Sequence, residues 1–333
     1  MDGLSFRALR VNEENNGTFT RRVVDLHEQD LLPGGVLVRV LYSSLNYKDA
    51  LSASGNKGVT RRYPHTPGID AAGVVESGAV DGFHPGDTVL IKHAEFGANT
   101  PGGFSQYAGV PSDWLMRMPE GLSARTSMAY GTAGLTAALS VHKLREQGVT
   151  PAAGNILVTG ATGGVGSVAV ALLAKLGYQV TAATGKPQAG QWLSGLGASV
   201  VIHRDDIDSQ TGKALLPVRW AGVVDTVGGN YLSAALRSAQ YGGVVTCCGN
   251  AASPALSMTV YPFILRGVSL LGIDIAHISR RLCEFLWAQL AGDWRLNRIE
   301  SLARECSLDD LDAEIDRTLR GEQTGRLIVN PWA

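Results

Sequence analysis

Short apolar runs recur through the middle of the chain at intervals of roughly 20–25 residues, the spacing of strands separated by helices. They are Asn155-Ile-Leu-Val-Thr159, Tyr178-Gln-Val-Thr-Ala-Ala183, Ser199-Val-Val-Ile202, Gly222-Val-Val-Asp-Thr226, Gly243-Val-Val-Thr-Cys247 and Val268-Ser-Leu-Leu-Gly272. Several intervals carry helical patterns. Ser167 to Leu176 is rich in Ala and Leu and ends at Gly177, a residue suited to closing a helix. Gln188 to Leu196 ends in the same way at Gly197. Strand alternating with helix predicts a parallel sheet covered on both faces.

Residues 1–125 have another rhythm. Val36, Val38 and Val40 alternate with Leu37, Arg39 and Leu41, and later come Asp87-Thr-Val-Leu-Ile91 and Phe104-Ser-Gln-Tyr-Ala108. Turn signals at Pro85-Gly86-Asp87 and Pro101-Gly102-Gly103 separate them. The pattern predicts a β-rich module with few long helices. Toward the C-terminus a helical stretch, Leu308 to Leu319, precedes an apolar strand, Arg326-Leu-Ile-Val329. Such a strand can return to the first module and make it discontinuous, which periodicity alone leaves open.

Composition narrows the class. A chain of 333 residues is long enough for two cores. Forty-one glycines among 333 residues compare with about 7% in an average protein, and point to tight turns and close backbone approaches. The net charge is −1 and no run of Lys or Arg exceeds two, so nothing suggests nucleic-acid binding. Met1 to Arg10 lacks the charged and apolar pattern of a signal peptide, and no apolar stretch is long enough to span a membrane. Cys247, Cys248, Cys283 and Cys306 form neither a disulfide framework nor a C-x-x-C motif, so a reducing cytoplasm is the expected setting.

The strongest chemical signal is Val158-Thr-Gly-Ala-Thr-Gly-Gly-Val-Gly166, which follows a predicted strand and opens a predicted helix. In that frame glycines let the backbone turn tightly and approach a pyrophosphate. The helix end offers unpaired N–H groups and a positive dipole to the anion. Gly163 and Gly166 fill the second and third glycine roles, with Ala161 at the first; Thr162, Gly164 and Val165 complete the loop. An NAD site places an acid about 20 residues further on, at the end of the second strand. The chain reads Ala182-Ala-Thr-Gly-Lys186 there. A hydroxyl at Thr184, a close-approach Gly185 and a cation at Lys186 suit the 2′-phosphate of NADPH.

Taken together, these residues resemble the medium-chain dehydrogenase/reductase superfamily, in particular its zinc-free quinone-oxidoreductase-like members and the acryloyl-CoA reductase branch. The resemblance spans essentially the whole chain. It rests on Ser43-Ser-Leu-Asn-Tyr-Lys-Asp-Ala50, Pro67-Gly-Ile-Asp-Ala-Ala-Gly73, Gly131-Thr-Ala-Gly134, Thr184-Gly-Lys186 and Pro262-Phe-Ile-Leu-Arg-Gly-Val268. It implies an α/β chain with a GroES-like β-rich catalytic domain over 1–125 and 275–333 and a Rossmann NADP-binding domain over 126–274. The implied strand order of the Rossmann sheet is 3-2-1-4-5-6. It also implies cofactor contacts at Tyr47, Asn250, Ile264, Ile275 and Arg326. Arg326, in Thr324-Gly-Arg326, is the cation expected to reach a cofactor phosphate.

The resemblance makes absent residues informative. Zinc-dependent relatives place a cysteine and a histidine where this chain has Asn46 and Ile69, neither of which offers a thiolate or imidazole. No metal site is expected, and the seven histidines, His27, His65 and His277 among them, lie outside ligand spacing. The branch usually has Arg at the position of Lys186 and a further basic residue at that of Val200.

Without a metal, reduction of an activated alkene needs donors aimed at the oxygen where charge develops, each worth about 2.7–4 kcal/mol of barrier. The candidates are Asn46, Tyr47 and Lys48, with Asp70 opposite; Lys48 either polarises a carbonyl or pairs with Asp49 or Asp70. Lys57, Arg61 and Arg62 form a basic loop that a CoA phosphate would suit. Three functions remain open: NADPH-dependent reduction of acryloyl-CoA, quinone reduction, and a non-catalytic NADPH-binding or structural role. The expected partners are a small-molecule substrate and a second copy of the chain, with Val260 to Ile273 as a sheet edge for a homodimer.

Overall fold

A computed structural model describes residues 3–33, 35–78, 82–207 and 213–333. The chain divides into two compact units, Met1–Thr132 with Arg298–Ala333, and Ala133–Asn297.

The first unit is built on antiparallel strands. Val36–Leu45 is central: it pairs with Ala71–Ser77, with Tyr107–Val110 and with the C-terminal strand Arg326–Val329. Its alternation is the expected one, with Val36, Val38 and Val40 buried and Leu37 and Arg39 partly exposed. The strand predicted over Phe104–Ala108 starts later, at Tyr107: Phe104 follows the turn that brings Gly103 against Gly68, and Ser105 pairs only as an isolated bridge with Ala8. The C-terminal strand does return to this unit, with Leu327 opposite Leu45 and Ile328 opposite Ser44. Leu45, Leu327 and Val329 then share a core with Leu9, Phe104, Leu311 and Ile315.

Among its described residues the second unit holds six parallel strands: Ile156–Val158, Val180–Thr184, Val200–His203, Trp220–Asp225, Ala239–Cys247 and Ser269–Gly272. Their order across the sheet is third, second, first, fourth, fifth, sixth, the Rossmann order that the resemblance implies. Ile156, Leu157, Val158, Val223 and Val224 are fully buried, as strands covered on both faces require. The first crossover helix, Gly164–Lys175, turns Val168, Ala169, Leu172 and Leu173 inward and is followed by Gly177 at φ 85°.

Both expected domain boundaries shift. The first falls at 132/133, just after Gly131, where φ 53° and ψ −159° break the long helical element Ala124–Glu146. The second falls at 297/298 rather than 274/275, because the helix Arg280–Ala291 and its following turn pack on Ala133–Glu146. The Phe285 ring is 5.2 Å from that of His142, and the Arg145 guanidinium lies 5.6 Å from the Trp294 ring. No helix among the described residues is long and apolar enough to cross a membrane.

Candidate active site: a glycine loop and a buried polar cluster

In the second unit, Val158 leads into a turn that hands the chain to the helix at Gly164. Gly160 takes φ 57°, a left-handed value that favours glycine. Gly166 has a packing role: a Cβ there would meet the Gly160 carbonyl oxygen at 2.3 Å and the Ala161 Cα at 2.8 Å. Gly163 differs from both. Its backbone is extended, at φ −77° and ψ 176°, and a Cβ there would meet only the Gly160 oxygen, at 3.3 Å. Neither conformation nor packing inside the protein accounts for a glycine at 163. The open face beside the first unpaired N–H groups of the helix does, since that is where a pyrophosphate approaches. Ala161 and Thr162 are buried, while Gly164 and Val165 are partly exposed in the first turn.

Asp225, at the carboxyl end of the fourth strand, fixes the far wall of this turn. It accepts from Thr159 Oγ1 at 2.7 Å and from the Gly228 N–H at 2.8 Å. Thr226 reinforces the link, donating from its N–H to Thr159 Oγ1 and from its hydroxyl to the Thr159 carbonyl. Burial pushes the Asp225 carboxyl up, against the pull of the Thr159 hydroxyl and the Gly228 and Val227 N–H groups.

At the end of the second strand, Thr184 is buried and its Oγ1 accepts from the Lys186 N–H at 3.0 Å. No acid stands in this stretch. The structure adds a residue that sequence reading missed. A Cβ on Gly185 would meet Arg204 Nε at 2.8 Å and Arg204 Cζ at 3.0 Å, so a second cationic side chain, a guanidinium, lies over this glycine. The parallel pairing of Ile202 with Ala183 and His203 with Thr184 brings Arg204 there. The basic residue sought at Val200 is therefore supplied four positions later. Asn250 is exposed beyond the fifth strand, Ile264 is exposed on the helix Tyr261–Arg266, and Ile275 is buried beyond the sixth strand.

The first unit gathers the other candidates around Asp70. Asp70 Oδ2 accepts from Ser44 Oγ at 2.6 Å, Asn46 Nδ2 at 2.8 Å and the Thr132 N–H at 2.9 Å. Asp70 Oδ1 accepts from Thr132 Oγ1 at 2.7 Å. The break at Gly131 makes this possible, since it frees the Thr132 N–H and a Cβ at 131 would lie 2.6 Å from Asp70 Oδ2. Asn46 opens the helix Tyr47–Ala53, and the Asp49 carboxylate accepts from its N–H at 2.9 Å. Asp49 Oδ1 also accepts from the Ile69 N–H at 2.8 Å. Burial, with Asp70 nearby, pushes the Asp49 carboxyl up to about 7, while the N–H donors of Ile69 and Asn46 pull the other way.

These contacts correct several expectations. Asn46 is not a free donor for a substrate oxygen: its Nδ2 donates to Asp49 and Asp70, and its Oδ1 accepts from Arg326. Asp70 has both carboxylate oxygens engaged by Ser44, Asn46 and Thr132. Lys48 forms no ion pair with Asp49 or Asp70 among the described residues; the charge facing them is Arg326. Nor does Arg326 stand out toward a phosphate. It is 2% exposed, donating to the Ala129 carbonyl, Asn46 Oδ1 and Ser44 Oγ. Tyr47, 41% exposed, and the partly exposed Lys48 remain available to a ligand. In the basic loop Lys57 is committed to Glu13 and to the rings of Phe19 and Tyr63, whereas Arg61 and Arg62 are exposed.

Comparison with known proteins agrees with this geometry. A family model described as alcohol dehydrogenase GroES-like domain matches residues 32–120, and one described as zinc-binding dehydrogenase matches residues 164–290. The chain is 44% identical over 97% of its length to YhfP of Bacillus subtilis, which is named for quinone oxidoreduction, and covers 98% of that protein. It is 44% identical over 98% of its length to the acrylyl-CoA reductase AcuI of Ruegeria pomeroyi, covering 99% of it. The crystal structure of YhfP with NAD bound superposes with a TM-score of 0.94, at 43% identity, over 98% of this chain and 99% of that one. The YhdH oxidoreductase of Salmonella enterica in complex with NADP gives 0.93, at 41% identity, over 97% and 99%.

One family description implies zinc, and the donors here do not fit it. Asn46 and Ile69 stand at the ligand positions, the Asn46 amide is spent on Asp49, Asp70 and Arg326, and a buried guanidinium repels a second cation. Among the described residues no group of three or more His, Cys, Asp or Glu is placed to hold a metal ion. The glycine loop, the six-strand order and near full-length identity to these relatives carry one conclusion: the chain belongs to the medium-chain dehydrogenase/reductase superfamily of oxidoreductases, in the branch of the quinone oxidoreductase-like proteins and acrylyl-CoA reductases.

Proposed function

We propose that the protein is an NADPH-dependent reductase of activated alkenes, with acryloyl-CoA as its substrate and the saturated acyl-CoA as its product. The observation that carries the cofactor reading is the open face of Gly163 at a helix N-terminus, together with Thr184, Lys186 and Arg204 where an NAD site would place an acid. When bound there, NADPH supplies hydride from nicotinamide C4 to the β carbon of the alkene.

The protein's own contribution is placement and charge. The loop amides would hold the pyrophosphate, and Lys186 and Arg204 would hold the 2′-phosphate. As hydride arrives, negative charge collects on the thioester oxygen. Tyr47 and Lys48 are the donors available to it, since Asn46 and Asp70 are committed to each other. A proton from solvent then reaches the α carbon, completing the saturated thioester. The AcuI relative supports the thioester.

Two predictions follow from these assignments. Arg204→Ala is expected to weaken NADPH binding by about 10–100-fold while leaving NADH unchanged, because a charge-assisted phosphate contact is worth about 1.5–3 kcal/mol. Equal loss for both dinucleotides, measured by calorimetry, contradicts it. Charge reversal at Arg61 and Arg62 is expected to raise KM for acryloyl-CoA and to leave KM for a simple quinone unchanged. An unmoved acryloyl-CoA value removes that loop from the substrate site.

A panel of acryloyl-CoA, simple enones and quinones, assayed by loss of NADPH absorbance with NADH alongside, tests the substrate. The name of YhfP favours a quinone as the second reading. Preference for a quinone over acryloyl-CoA at matched NADPH sinks the thioester assignment and leaves the cofactor assignment standing. Four free cysteines suit a reducing compartment such as the cytoplasm. The exposed Val260, Ile264 and Leu265 beside the edge strand Ser269–Gly272 suit pairing with a second copy as a homodimer, which sedimentation tests.

A further inference from the structure

Two carboxylates and one guanidinium are buried together in the first unit. Asp49 is on the short helix, Asp70 precedes the strand Ala71–Ser77, and Arg326 opens the last strand. Isolated ions are not stable in such a place unless partners satisfy them. Here Ser44 and Asn46 lie between the opposite charges. Arg326 Nη2 donates to Ser44 Oγ at 2.9 Å, and Ser44 Oγ donates to Asp70 Oδ2 at 2.6 Å. Arg326 Nη1 donates to Asn46 Oδ1 at 3.3 Å, and the Asn46 Nδ2 group faces Asp49 and Asp70. The resemblance puts the cysteine of zinc-dependent relatives at the position of Asn46, where this chain offers an amide and no metal ligand. In this chain the balancing cation comes from the other end of the sequence, set in register by the pairing of Leu327 with Leu45.

We propose that Arg326 is a positioning residue that takes the charge-balancing place of a metal ion, fixing Asn46 and the turn that carries Tyr47 and Lys48. The guanidinium orients the Asn46 amide. The amide and the Asn46 N–H hold Asp49, and Asp49 ties the helix start to the Ile69 N–H. Tyr47 is the first residue of that helix, so its direction depends on the whole chain of contacts. Arg326 thus acts through Asn46, without touching the substrate.

The test uses R326M, R326K and the double variant R326M/D70N. Without the cation, Asp49 and Asp70 repel one another in a buried site, and the folded state holds a proton more tightly than the unfolded chain does. Stability that depends on such a proton is present in acid and is lost as pH rises. R326M is therefore expected to melt below the wild type, with a gap that widens between about pH 6 and about pH 8.5. Its kcat is expected to fall about 100-fold, with a smaller loss of NADPH affinity, because the pyrophosphate loop and the 2′-phosphate residues are in the other unit and only the Tyr47 contact is disturbed. R326K, which keeps the charge and loses the fork, is expected to restore the wild-type pH dependence with kcat still reduced.

In R326M/D70N a neutral side chain still accepts from Thr132 and can donate to Ser44, so it is expected to recover stability relative to R326M. Equal loss at both pH values, with D70N adding further damage, would show a packing role only and overturn the proposal. If R326M is insoluble, a soluble double variant supports the proposal and an insoluble one overturns it. The turnover arm rests on the acceptor named above, whereas the melting and NADPH-binding arms do not, so failure of the substrate assignment is distinguishable from failure of this one.

Discussion

Gly163→Val is expected to leave the fold intact and to weaken NADPH binding by about 100-fold or more, equivalent to about 2.7 kcal/mol. The backbone at 163 is extended, at φ −77° and ψ 176°, which valine adopts readily. An added Cβ would press only on the Gly160 oxygen, at 3.3 Å, a contact relieved by a shift of a few tenths of an ångström. The two valine methyl groups, however, project into the space beside the free N–H groups of Gly164–Lys175, where the pyrophosphate must lie. Gly166→Val serves as the contrast. Its Cβ would collide with the Gly160 oxygen at 2.3 Å and the Ala161 Cα at 2.8 Å, both backbone, so the helix must leave the strand and the unit unfolds. Thermal melting and titration calorimetry on the two variants separate the roles. A Gly163→Val protein that binds NADPH as the wild type does would show that the loop is not the pyrophosphate site.

Asp70→Ala is expected to destabilise the protein by about 3–5 kcal/mol, the range for removing one partner of a buried charged network. Four donors lose Asp70 as an acceptor at once: the Ser44 hydroxyl, the Asn46 amide, which keeps Asp49, and the N–H and hydroxyl of Thr132. Each is buried or nearly so, and water does not replace the lost partner without opening the site. Arg326 then faces only Asp49. Denaturant unfolding of the wild type and the variant measures the difference. A loss below about 1 kcal/mol, the size of an ordinary surface ion pair, would contradict the central place given to Asp70.

The glycine loop was legible because its chemistry is local. A strand, a turn and a helix follow one another in the chain, and the glycine spacing is set by backbone geometry that any observer of the sequence can check. The six-strand sheet was legible for a similar reason, since each strand is a short apolar run; only its edges differ, with Gly222–Thr226 becoming Trp220–Asp225 and Gly243–Cys247 becoming Ala239–Cys247. What failed depended on long-range register. Arg204 reaches Gly185 through pairing of the third strand on the second, which no spacing in the sequence reveals.

Arg326, expected to reach a cofactor phosphate, is buried for the same cause. A lone arginine between Gly325 and Leu327 looks exposed, yet antiparallel pairing with residues 43–45 closes the sheet over it. Asn46 and Asp70, expected to face a substrate, lie together with their polar groups satisfying each other. The boundary near residue 297 was hidden in side-chain packing, in the contacts of Phe285 and Trp294 with His142 and Arg145.

The most direct measurement follows the hydride itself. NADPH deuterated at both C4 positions is mixed with acryloyl-CoA and the enzyme in ordinary water, and the product is analysed by mass spectrometry and NMR. One deuterium at C3 of propionyl-CoA and an unlabelled hydrogen at C2 are expected, because hydride goes to the β carbon and the solvent-derived proton to the α carbon. Deuterium-free product, or NADPH left unoxidised beside intact acryloyl-CoA, would contradict the account.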